Sequence, residues 1–167
     1  MRIAAVSGSL RSASSNASLL RAVALLAPDD DVVFIDLALP WFNPDLDEDE
    51  PPPVIAELRT TLRACDAIVL SSPEYAHGVP GVLKNFLDWL VSDGLLVDKK
   101  VALLNASPRS KFAHAQIAET LRTMSWNVVL EADVNLSGRK LDAEGIAADA
   151  ELASIVRGAL QSLRDAQ

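Results

Sequence analysis

The sequence is short of cysteine, of aromatic rings and of positive charge, and each shortage excludes something. One cysteine, Cys65, leaves no partner for an internal disulfide, and no secretory signal precedes the first apolar run at Ile3 to Val6. A cytoplasmic protein is expected. Aromatic residues make up 5% of the chain and hydrophobic residues 50%, so the core must be built from Ala, Val, Leu and Ile. Strands buried on both faces have that composition, which favours α/β over a sandwich. Lys and Arg number 15 against 23 Asp and Glu, and the formal net charge of -8 makes nucleic acid and anionic membrane surfaces poor partners. No apolar run approaches the length that spans a bilayer. The two histidines, His77 and His114, have no nearby Cys or His at metal-ligand spacing, so no metal site is expected.

What the chain has is regular alternation. Its 167 residues suit one domain, residues 1–167, with a single sheet between two helical layers. Runs at Ile3 to Ser7, Val32 to Leu37, Ala67 to Ser71, Val101 to Asn105 and Val128 to Val134 read as strands. Apolar spacings of three and four mark helices between them: Leu20, Val23, Ala24 and Ala27; Ile55, Leu58, Leu62 and Cys65; Ile117, Leu121 and Met124. One last helix carries Leu152, Ile155, Val156, Ala159, Leu160 and Leu163. Right-handed crossovers then give five parallel strands in the doubly wound order 2-1-3-4-5. Cys65 closes the second helical stripe and is expected to pack rather than react.

The third helix, Gly81 to Val91, spreads Val82, Leu83, Phe86, Leu87 and Leu90 over a wider arc. That arc fits either contact with a partner subunit or a helix sunk deeper in the core. The long connection Leu39 to Pro53 holds the acids Asp45, Asp47, Glu48, Asp49 and Glu50 and reads as a solvated surface loop. Its Trp41 and Phe42 are expected to anchor the loop on the core, with folding back over a ligand as the alternative.

Two loops carry the chemistry. After the first strand, Ser7-Gly8-Ser9-Leu10-Arg11-Ser12-Ala13-Ser14-Ser15-Asn16 runs straight into a helix starting near Asn16. Unpaired N–H groups and the positive end of the helix dipole make an anion site there, to which the hydroxyls add donors and Arg11 adds charge. The glycines and lysine of a nucleoside-triphosphate loop are missing, as is the three-glycine dinucleotide fingerprint, so a terminal monophosphate suits the loop better. The same residues also serve as ordinary helix caps. After the third strand comes Ser71-Ser72-Pro73-Glu74-Tyr75-Ala76-His77-Gly78-Val79-Pro80-Gly81, stiffened by its prolines. In the doubly wound order the two loops flank the crevice where strand order reverses.

Through GSLRSASSN and PEYAHGVPGVLKNFLDW the chain resembles the NADPH-dependent FMN reductase family of flavodoxin-like flavoproteins. DLALPWFNPD, CDAIVLSSP and the segment Leu141 to Gly145 are weaker matches to it. The resemblance implies a flavodoxin-like domain with the FMN phosphate at Ser9, Arg11, Ser14, Ser15 and Asn16. It places the flavin ring beside Pro73, Glu74, Tyr75 and Ala76, with the region of Ser107 closing the ring's other edge. NADPH or NADH would supply hydride, and a quinone, free flavin, azo compound or metal ion would accept the electrons. Binding residues are implied, and no catalytic side chain. A homodimer or homotetramer is implied as well, and the wide apolar arc of the third helix is expected to be its contact. The chain departs from the family at Ala76, where Asn is frequent, and at Ala106 to Ser110, where a Gly pair is frequent.

Two other readings compete. A flavodoxin-type electron carrier would use the same phosphate loop, but the scarcity of aromatics, with Tyr75 the only tyrosine, speaks against it. A Rossmann-type NAD enzyme would use Asp36, at the end of the second strand, for ribose, but lacks its glycines. Among single residues, His77 reads as an exposed loop histidine and Lys84 with Asp88 as an i, i+4 pair. Arg109 and Lys111 read as solvated, with the phosphates of NADPH as the alternative.

Overall fold

A computed structural model describes residues 1–11, 13–48 and 50–166, so Ser12 of the first loop and Asp49 of the acidic cluster lie outside the described residues. Five strands, β1 (Arg2–Ser7), β2 (Asp31–Ile35), β3 (Ala67–Ser71), β4 (Lys100–Asn105) and β5 (Asn127–Asp133), form one sheet in the order β2-β1-β3-β4-β5. Every neighbouring pair is parallel. The flavodoxin-like doubly wound arrangement read from the sequence is therefore the one observed.

The side-chain period of two divides each central strand between two cores. Ile3, Ala5, Ala67, Val69, Ala102 and Leu104 meet the helices α1 (Ser15–Leu26) and α6 (Ala150–Asp165). Ala4, Val6, Ile68, Leu70, Val101 and Leu103 meet α2 (Pro53–Arg63), α3 (Gly81–Asp88) and α4 (Lys111–Thr123) on the other face. β3 is buried throughout, whereas the edge strands β2 and β5 keep exposed positions. The cysteine is buried among the α2 side chains, as its stripe implied, and burial pushes its thiol pKa up.

Several details differ from the sequence reading, among them the third helix, which ends at Asp88 rather than Val91, and the fifth strand, which spans Asn127–Asp133. β2 stops at Ile35 rather than Leu37, because Asp36 Oδ1 accepts from the Ala38 N–H at 2.9 Å and turns the chain. The final helix is preceded by a separate short one, α5 (Ala143–Ala148), formed by the segment after Leu141. Asp142 caps α5 through the Gly145 N–H, and Asp149 breaks the run in an extended conformation and caps α6 through the Leu152 N–H. The wide arc of α3 is core: Leu83, Phe86, Leu87 and Leu90 are each at most 1% exposed within the single chain. Those four side chains are covered within the single chain, and Val82 of the same arc is half-buried.

The long loop is tied down by α3. Asn85 accepts from the Phe42 N–H at 2.7 Å and donates to the Pro40 carbonyl, which also accepts from Trp89 Nε1 at 2.8 Å. Phe42 packs edge-on against Trp89 and anchors the loop, while Trp41 is exposed.

Candidate functional site

The loops leaving the carboxyl edge of the sheet are fastened to one another. Gly8 N donates to the Ser71 carbonyl at 2.9 Å, and a Cβ on Gly8 would stand 2.2 Å from Ser72 Oγ. Only glycine allows the end of β1 to lie this close to the end of β3. One turn on, Ser71 Oγ donates to Asn16 Oδ1 at 2.8 Å, both residues being buried, which pins the first turn of α1 to the same strand end. Asn16 Nδ2 is left as a donor. Ser14 caps α1 by accepting from the Ala17 N–H, and its own hydroxyl proton is left to donate. The N–H groups of Ser15 and Asn16, in the first turn, have no carbonyl within the helix to bond.

The loop after β3 is held as firmly. Tyr75 and Gly78 exchange two backbone hydrogen bonds, at 3.1 and 2.9 Å, around Ala76 and His77, whose φ angles are +50° and +58°. Positive φ at both central positions makes a type I′ turn. Glu74 Oε2 accepts from the Ala113 N–H in the first turn of α4 at 2.9 Å, and the His77 ring stacks on Phe112 at 4.5 Å. The tip of the loop therefore rests on α4.

The loops after β4 and β5 complete the edge. Asn105 Nδ2 donates to Asp133 Oδ1 at 2.8 Å, and Asn105 Oδ1 accepts from the Ser107 N–H. Ser107 Oγ and Ser137 Oγ share a hydrogen bond at 3.1 Å. Arg139 pairs with Asp149, whose carboxyl is held below its ordinary pKa first by the Leu152 N–H and then by this guanidinium.

Together these loops enclose a cavity of about 690 Å³. Ser9, Arg11, Ser14, Ser15 and Asn16 line it from the first loop, Pro73, Glu74, Tyr75 and Ala76 from the third, and Ser107 from the fourth. Every residue that the resemblance placed at FMN thus faces one space. His77 and Arg109 line it too while staying exposed, as their solvated reading has it, whereas Lys111 does not line it. Asp36 lies outside it, engaged in its own turn, and Lys84 pairs with Asp88 elsewhere. The wall that sequence reasoning missed is Leu136 to Lys140, after β5. Its signal is the run Leu-Ser-Gly-Arg-Lys at 136–140, a basic stretch with a glycine shortly beyond the fifth strand.

The chain matches the model of the family described as NADPH-dependent FMN reductase over residues 1–139. It is 31% identical to the NAD(P)H-dependent FMN reductase PA1204 of Pseudomonas aeruginosa, over 98% of this chain and 94% of that protein. It is also 31% identical to the probable NADPH:quinone oxidoreductase 2 of Oryza sativa subsp. japonica, over 98% and 87%. Among solved structures, the flavoenzyme NAD(P)H:(acceptor) oxidoreductase FerB of Paracoccus denitrificans superposes with a TM-score of 0.75. The identity is 24%, over 98% of this chain and 95% of that one, and it supports the shared fold. The protein described here belongs to the NADPH-dependent FMN reductase family.

Proposed function

We propose that the cavity at the carboxyl edge of the sheet holds FMN, and that the protein uses it to pass hydride from NADPH or NADH to a small quinone-type acceptor. The observation that carries this reading is the convergence of both motif loops and Ser107 on one cavity beside the start of α1. The residues present fit the cofactor. A volume of about 690 Å³ is within the usual range for small-molecule sites. The first turn of α1 offers unpaired N–H groups, hydroxyls and the Arg11 charge for a phosphate dianion. The loop from Pro73 to Ala76, held by the paired backbone bonds of Tyr75 and Gly78, lines the same cavity for the ring.

Bound there, FMN supplies the hydride chemistry, and the protein supplies position and electrostatics. The α1 turn orients the cofactor by its phosphate, and the clasp of Gly8 against Ser72 fixes the distance from that turn to the β3 loop. Glu74 serves this loop through α4, and we assign no proton transfer to any side chain. Quinone is favoured as the acceptor because relatives named quinone oxidoreductases match across nearly the whole chain. Steady-state NADPH oxidation by the purified, FMN-loaded protein with 1,4-benzoquinone tests the reading. Sustained turnover is expected, and FMN uptake without turnover would make the protein a carrier.

Two further assignments go with this reading. A homodimer or homotetramer is proposed, resting now on the exposed Val91, Leu95 and Val97 beyond α3 rather than on the α3 arc. A monomer by light scattering at micromolar concentration overturns it. A cytoplasmic location is proposed from the free thiol of Cys65, and fractionation checks it.

A further inference from the structure

We propose that Arg109 and Lys140 form a second anion subsite in this cavity, one that recognises the 2′-phosphate of NADPH and so favours NADPH over NADH. The proposal rests on the FMN reading above. The chain carries a net charge of -8, yet among the described residues its cavity is lined by Arg11, Arg109, Arg139 and Lys140 against a single acid, Glu74. That acid is turned to the Ala113 N–H, and Arg139 is engaged by Asp149. Among the described residues Arg11, Arg109 and Lys140 have no ion pair. One phosphate at the start of α1 accounts for Arg11 alone. In the order β2-β1-β3-β4-β5, the loops bearing Arg109 and Lys140 lie two and three strands beyond β1, about 10 and 14 Å at the usual strand spacing.

The two loops present their cations from a common frame. Ser107 Oγ accepts from the Arg109 N–H at 3.3 Å and shares its hydrogen bond with Ser137 across the gap. The residue before Lys140 is held by its pairing with Asp149 at the cap of α6. A guanidinium fork can meet a phosphomonoester through two parallel bonds, and an ammonium adds a point charge beside it. NADPH carries such a group on its adenosine ribose and NADH does not, while a neutral quinone offers carbonyl acceptors but no charge to pair with either cation.

The test compares the parent with Arg109→Ala, Lys140→Ala, the double variant and Arg109→Lys. Kinetics with 1,4-benzoquinone and calorimetric titration of FMN-loaded protein with 2′,5′-ADP and 5′-AMP supply the readings. The double variant should lower the NADPH-to-NADH ratio of kcat/KM by about tenfold or more, through KM for NADPH. Its affinity for 2′,5′-ADP should fall by a similar factor, 5′-AMP should be little affected, and Arg109→Lys should recover part of the loss. A folded double variant with the parent's ratio and the parent's 2′,5′-ADP affinity overturns the proposal. So does loss of FMN from the same variant, which would assign both cations to the cofactor. Selective loss of turnover with a sulfonated quinone, with the nucleotide ratio kept, would assign them to the acceptor and equally overturn it. If the parent takes up no FMN, the FMN reading fails, and 2′,5′-ADP titration of the unloaded parent and variant decides the subsite separately.

Discussion

Ala76 occupies a backbone position that its side chain disfavours. A φ of +50° costs a residue with a Cβ about 1–2 kcal/mol, and Asn or Gly tolerates it better. Ala76→Asn should therefore raise stability by about 0.5–1 kcal/mol in a urea titration, and a loss of stability would contradict the turn assignment. The letters Ala-His gave no sign of a type I′ turn, because Gly, Asn and Asp are the residues that announce one. Gly8 is the opposite case. Its loop was legible from the sequence, but its contact with Ser72 needs coordinates. Gly8→Ala should destabilise by about 1–3 kcal/mol and weaken FMN binding, because the added Cβ also stands 3.1 Å from the Ser72 Cα, where rotamer change gives no relief. Tyr75 is 57% exposed, and no proton transfer is assigned to its hydroxyl. Tyr75→Phe should keep FMN and lower kcat by less than about tenfold, the range of a neutral hydrogen bond. Near-complete loss of NADPH oxidation at full FMN occupancy would show chemistry at that hydroxyl.

At the scale of elements, the start of α1 carries the largest predicted effect. Arg11→Ala combined with Ser9→Ala should weaken FMN binding by about 2–4 kcal/mol, since each charge-assisted bond is worth about 1.5–3. Stability of the unloaded protein should change little, because both side chains lie in the loop before the helix. Equal FMN affinity in variant and parent would move the phosphate elsewhere. The cap of α6 gives a pH dependence. Asp149 has a folded pKa below its unfolded value, so its contribution is present above the unfolded pKa and is lost as pH falls through the folded one. Asp149→Asn, which can still cap but cannot ionise, should be less stable than the parent at neutral pH and converge with it in acid melts. An undiminished difference at pH 2 would contradict the charge argument. The five strands and the start of α1 were legible because apolar runs and cap residues are local signals. The depth of α3 was not, since a wide apolar arc looks the same whether its partner is another chain or the rest of its own. The division between α5 and α6 was hidden because Asp149 interrupts a helical period without proline or glycine.

At the scale of the molecule, the two motif loops are 64 residues apart in the sequence at Gly8 and Ser72, and strand order alone brings them together. That juxtaposition was legible, because a doubly wound sheet opens its crevice where the order reverses between β1 and β3. The β5 wall was not, although β4 and β5 are neighbours and their loops share the Ser107–Ser137 bond. The distribution of charge follows the same division. An acidic chain lines one cavity with four cations, Arg11, Arg109, Arg139 and Lys140, and a sum over the sequence conceals where they stand. The central claim is that this cavity is an FMN site, and the most direct test is optical titration of the unloaded protein with FMN. The account predicts stoichiometric uptake with a perturbed flavin spectrum, release of unmodified FMN on denaturation, and loss of uptake in the Ser9 and Arg11 double variant. A correctly folded parent that leaves the flavin spectrum unchanged at saturating FMN would contradict it.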